Sequence, residues 1–188
     1  MDERNLIWLL GEDNPTVRYL TLIKILNIDE ESEEVIIAKK AIMTTSLVPK
    51  ILSKQNEDGS WSDSMRFYTD KYKGTVWTLL ILAELHADGN DPRIRKACEF
   101  ILNHSQDKES GGFSVSYSTK FNGGMPSQVI PCLTGNLVFA LIRLGYGKDP
   151  RVLQAIDWFV RYIRTDDGEY LSPLDSKYKN LKSCYGKH

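Results

Sequence analysis

The stretch DPRIRKACEFILNHSQDKESGGF, Asp91 to Phe113, constrains the fold more than any other part of this chain, because it occurs more than once. It reads as a helix followed by a glycine turn. Asp91 takes the cap position and Pro92 the first helical position, where a missing N–H costs nothing. Ile94, Ala97, Cys98, Ile101 and Leu102 then recur at i, i+3, i+4, i+7 and i+8, one apolar stripe on a helix. Gln106 ends the helix, and Gly111-Gly112-Phe113 turns an aromatic ring back toward the packed side.

The unit returns at Asp149, 58 residues later, as DPRVLQAIDWFVRYIRTDDGEY. Val152, Ala155, Ile156, Phe159 and Val160 repeat the stripe, Trp158 answers to Phe100, and Gly168-Glu169-Tyr170 answers to the glycine turn. An earlier copy closes in Gln55-Asn56-Glu57-Asp58-Gly59-Ser60-Trp61. Between the copies, Leu82-Ala83-Glu84-Leu85 aligns with Leu141-Ile142-Arg143-Leu144. A recurrence of 50 to 60 residues holding two helices marks a helical repeat protein. The expectation is an all-α fold, an α/α repeat array of about three or four helix pairs.

Inner helices are expected over Thr75 to Leu85 and Pro131 to Leu144, and charged-backed outer helices over Asp91 to Gln106 and Asp149 to Arg164. Val76, Trp77, Leu79, Leu80, Ile81 and Leu82 leave the first inner helix little room for a wet face. Residues 1–188 read as one domain. Residues 1–45 are its N-terminal helices, with Asn14-Pro15 and Arg18 similar to the opening of a HEAT-type helix. Residues 46–188 carry the repeats, the last of them incomplete.

Composition excludes several classes. Net charge is -1, with 24 basic and 25 acidic residues interspersed, so no basic face for nucleic acid is expected. Three widely spaced cysteines do not make a disulfide framework. No apolar run reaches the roughly 20 residues of a membrane span. A cytoplasmic protein is the expectation, and an array ending on an unmatched pair implies a homodimer through its C-terminal end.

Lys96-Ala97, Phe100-Ile101-Leu102 and Gln106, followed by Gly-Gly-Phe, resemble the QW motif of squalene and oxidosqualene cyclases. They are also similar to the glycine-aromatic repeat in the β subunits of protein prenyltransferases. Gln55 with Gly59-Ser60-Trp61 is the best single copy, and Arg164 to Tyr170 a degenerate one. The resemblance covers residues 48 to about 188. It implies a toroid-type α/α fold whose inner helices line a cavity for isoprenoid chains, with Gln55, Trp61, Gln106 and Phe113 as scaffold.

The Asp-x-Asp-Asp motif with which such a cyclase protonates its substrate does not occur here, and Asp166-Asp167 reads as a turn. The prenyltransferase likeness implies zinc. Cys132 stands at an inner-helix N-terminus, where the dipole favours a thiolate, and Cys184 and His188 stand at the start of the next inner helix. These three are the candidate metal ligands, against a reading of Cys132 as a small core residue. Cys98, on the buried stripe, is a packing residue. Tyr68, Trp77, Tyr117 and Phe121 are the candidate contacts for an apolar ligand. Two functions of different class follow. One is a prenyltransferase- or terpene-cyclase-like protein that holds an isoprenoid among its inner helices, with zinc. The other is a non-catalytic helical repeat module that binds a protein partner, since fold alone does not decide function.

Overall fold

The computed structural model describes residues 2–45 and 47–162, and the chain is all-α but for one small ribbon. Its helices are α1 (Glu3–Leu9), α2 (Pro15–Leu20), α3 (Glu33–Thr45), α4 (Val48–Leu52), α5 (Thr75–Glu84), α6 (Pro92–His104), α7 (Pro131–Leu141) and α8 (Pro150–Tyr162). Helices α2 and α7 each run on into a wider π-type turn, Thr21–Ile25 and Ile142–Tyr146. The loop after α6 carries β1 (Tyr117–Ser118) paired antiparallel with β2 (Gly123–Gly124), a ribbon that the sequence did not reveal.

The elements pair as the repeat requires. Helix α2 packs on α3, α5 on α6, and α7 on α8, while α5 and α7 also meet each other. Helices α5 and α7 are thus the inner members of the repeat, backed by α6 and α8, and α2 with α3 forms a further pair. One continuous core runs from Tyr19 to Ala155, with Leu22, Ile42, Leu79, Leu82, Ile101 and Leu137 fully buried. Each such side chain contributes about 1.5–3 kcal/mol through removal from water. The outer helices begin as read, with the Asp91 carboxylate accepting from the Arg93 N–H at 2.8 Å and Asp149 from the Arg151 N–H at 2.9 Å.

The glycine turns are built alike. The Gln55 amide donates to the Gly59 carbonyl at 3.0 Å and to the Arg93 carbonyl at 2.8 Å. The Gln106 amide donates to the Gly111 carbonyl at 3.0 Å and to the Arg151 carbonyl at 2.7 Å. Each glutamine therefore ties its own turn to the first turn of the next outer helix. Gly59 (φ 93°) and Gly111 (φ 86°) occupy the left-handed region and lie against that same helix, where a Cβ would strike the Lys96 carbonyl and the Gln154 side chain. The aromatic of each turn donates its backbone N–H to a threonine at the start of the next inner helix, Trp61 to Thr75 Oγ1 at 3.0 Å and Phe113 to Thr134 Oγ1 at 2.9 Å. The third copy, at Tyr170, lies outside the described residues.

Two expectations about burial need correction. Val160 is 71% exposed instead of lying on the packed stripe, whereas Trp158 is buried. Helix α5 does have a wet side, with Trp77 half-buried, Ile81 40% exposed and Glu84 exposed, at i, i+4 and i+7. Its neighbours cover the remaining faces and leave that stripe open. Cys98 is buried as expected, and burial pushes its thiol up to about 12.

Candidate functional site

The open stripe of α5 meets the loop that precedes it. Trp77 stacks with Tyr68, ring centroids 5.9 Å apart and planes 30° off parallel, and Tyr72 lies 5.9 Å from the same indole at 55°. The indole N–H donates to the Tyr68 carbonyl at 3.0 Å, so its polar handle is used inside the protein. Tyr68 and Trp77 are thus brought together, and Tyr72 completes the group.

Beside this group lies an open cleft of about 420 Å³, walled by Ile51, Trp61, Tyr72, Thr78 and Ile81, with Lys54 and Lys73 its charged residues. Its uncharged polar side chains are turned to the protein. Trp61 Nε1 donates to the Ile51 carbonyl at 2.9 Å, and the Thr78 hydroxyl to the Gly74 carbonyl at 3.0 Å. The Ser62 hydroxyl donates to Asp70 at 2.6 Å, which, with Arg66 2.8 Å away, holds that carboxyl below its ordinary range. What the cleft offers a ligand is aromatic and aliphatic surface.

The other two candidate contacts lie elsewhere. Tyr117, on β1, packs 5.1 Å from His104, which stacks 4.0 Å from Phe100, which in turn meets Phe67 edge-on at 6.4 Å. That ladder of rings leads into the core, not to the cleft. Phe121 sits at the ribbon's tip, 44% exposed, with the Lys120 ammonium 5.4 Å from its ring. His104 Nδ1 lies 2.9 Å from the Phe100 carbonyl near the end of α6, consistent with capping.

Cys132 is exposed at the second position of α7. Cys184 and His188 lie outside the described residues. Among the described residues no group of three or more His, Cys, Asp or Glu side chains could hold a metal ion.

Ile51, Trp61 and Ile81 were not read as contacts. A ten-residue apolar helix reads as buried all round, yet the spacing of Trp77, Ile81 and Glu84, which ends on a charge, did mark a wet stripe. Trp61 was read only as scaffold, and it serves as scaffold and wall at once.

The model of one protein family, described as the squalene-hopene cyclase C-terminal domain, matches residues 16–174. The matched span takes in α2 and α3 as well as the glycine turns. Neither a search of curated proteins nor one of solved structures returned a significant match. No helix among the described residues is long and apolar enough to cross a membrane.

Proposed function

This chain belongs to the squalene-hopene cyclase C-terminal domain family, and from that premise we propose that it binds an isoprenoid or similar apolar chain along its inner helices. The observation that carries this reading is the cleft beside the Tyr68–Trp77–Tyr72 group, in which the Trp61 indole and the Ser62 and Thr78 hydroxyls are already bonded within the protein. An apolar chain laid there desolvates aromatic faces without breaking those bonds, while the flexible Lys54 and Lys73 side chains keep their ammonium groups in water at the rim.

The residues of this chain hold no Asp-x-Asp-Asp acid, so the proposal is one of binding and assigns no cyclising step. Zinc held by Cys132, Cys184 and His188 is the metal version of the same reading; the ion would act as a Lewis acid toward a bound thiol or oxygen. Geranylgeraniol titrated into the protein and followed by calorimetry tests the binding. Saturation at roughly micromolar ligand, lost in Ile81→Asp, is expected. Equal heats for wild type and variant would overturn it.

A partner-binding module is the second reading. It is favoured by Tyr72, 81% exposed, and Met65, 54% exposed, which stand on the same loop. If pull-down of a protein partner is abolished by Tyr72→Ala while geranylgeraniol gives no heat, this reading replaces the first.

A further inference from the structure

A second cavity, of about 520 Å³, opens where the inner helices hand over to the outer ones, and its chemistry is unlike that of the apolar cleft. Tyr19, Lys39, His86, Arg95 and Arg143 line it, together with the carboxylates of Asp88, Glu99 and Asp149. The acidic members are engaged. Arg151 binds Glu99 through two bonds of 2.8 Å and Asp149 at 2.7 Å. Asp88 accepts from the Asn90 backbone N–H at 2.9 Å and from its side-chain amide at 3.2 Å.

The basic members are not matched in this way. Among the described residues no carboxylate pairs with Lys39, Arg95 or Arg143. Lys39, Tyr19, His86 and Arg143 form one contiguous run. The Lys39 ammonium stands 5.9 Å from the Tyr19 ring, that ring 5.5 Å from His86, and Arg143 Nη1 2.6 Å from His86 Nε2. Arg143 also lies over Phe139, its guanidinium carbon 5.2 Å from that ring, so an aromatic and an imidazole hold it in place. Arg95 donates to the Asn90 side chain at 3.0 Å and keeps further N–H groups for a ligand. His86 itself adopts φ 56°, which sets its ring at the end of α5 instead of in the helix.

We propose that this cavity binds the phosphate group of a small molecule between Arg143 and Lys39, with Tyr19 and His86 as its floor. Fixed guanidinium donors and an ammonium without carboxylate partners suit a multiply charged oxyanion, and the volume is that of a small-molecule site. The imidazole supplies an internal reporter. Burial first, then Arg143, holds His86 below its ordinary range, with Lys24 and Lys39 acting the same way and Glu84 opposing. A dianion placed against Arg143 reverses part of that effect and raises it. The proposal is independent of the apolar cleft.

The test follows the ring protons of the three histidines of the full chain by NMR, with His86→Asn assigning the resonance. Inorganic pyrophosphate should saturate the protein and raise the His86 midpoint. Arg143→Ala and Lys39→Ala should each weaken binding at least about tenfold, Arg143→Lys less, and Lys120→Ala not at all. Vesicles of phosphatidic acid in phosphatidylcholine separate the two sources of phosphate. Binding to them that pyrophosphate displaces makes the ligand a lipid headgroup, and pyrophosphate binding without vesicle binding makes it soluble. No saturable His86 shift up to about 10 mM pyrophosphate, or affinity unchanged from wild type in the two alanine variants, overturns the site. Circular dichroism confirms that each variant is folded, and should Arg143→Ala not fold, Arg143→Lys and Lys39→Ala carry the comparison.

Discussion

The side-chain amide of Gln106 reaches 2.7 Å to the carbonyl oxygen of Arg151, 45 residues further along the chain, and so fastens one helix pair to the next. Gln55 repeats this on Arg93, and in both cases the recipient is the arginine that follows Asp-Pro. Replacing Gln106, which is buried, with Ala leaves the Gly111 carbonyl without its side-chain donor and Arg151's carbonyl with its helix bond alone. We expect a loss of about 1–3 kcal/mol in urea unfolding. A change within error would mean that the clasp contributes nothing.

Gly111 and Gly145 both have positive φ, 86° and 90°, but differ in their surroundings. A Cβ on Gly111 would sit 2.6 Å from Gln154 Cγ and 2.9 Å from its backbone, whereas one on Gly145 meets nothing within 4 Å. Gly145→Ala should therefore cost only the backbone strain, about 1 kcal/mol, and Gly111→Ala clearly more, measured as the difference between their unfolding midpoints. Equal costs would show that the turn does not press on α8.

Arg151 makes stability depend on pH. Its hydrogen bonds hold the Glu99 and Asp149 carboxyls below their ordinary range. A depressed folded-state value contributes stability above the unfolded value of about 4, and that contribution is lost as pH falls through the lower folded values. Arg151→Met should remove it, so the variant loses less stability than wild type between pH 5 and about pH 2. Both carboxylates are partly exposed, and the effect should shrink in high salt. Parallel acid-denaturation curves would contradict the assignment.

The metal version of the function has its own test. Purified protein should carry zinc in stoichiometric amount and lose it in Cys132→Ala with helicity unchanged. Metal-free protein whose melting is indifferent to a chelator removes zinc from the account and leaves the apolar cleft in place.

The pattern of residues made the array legible because each level agreed with the next. Asp-Pro openings, an apolar stripe and a Gln-to-aromatic turn all describe one unit, and Gln55 and Gln106 occupy the same bond pattern. The ribbon of Tyr117–Ser118 and Gly123–Gly124 escaped because two-residue strands carry no periodicity. The candidate site was half legible. Tyr68 and Trp77 meet, being joined by a short loop and one helix, while Tyr117 is held away by His104 and Phe100, a tertiary contact that no local spacing encodes. The polar cavity was invisible for the same reason, since Lys39, His86 and Arg143 come from three helix pairs.

Photocrosslinking tests the central claim most directly. An isoprenoid alcohol bearing a benzophenone is irradiated with the protein, and the adducts are mapped by mass spectrometry. Adducts at Ile51, Tyr72 or Ile81, competed away by excess geranylgeraniol, are the predicted result. Labels spread over the outer faces of α6 and α8, unaffected by competitor, would contradict an apolar-chain site among the inner helices.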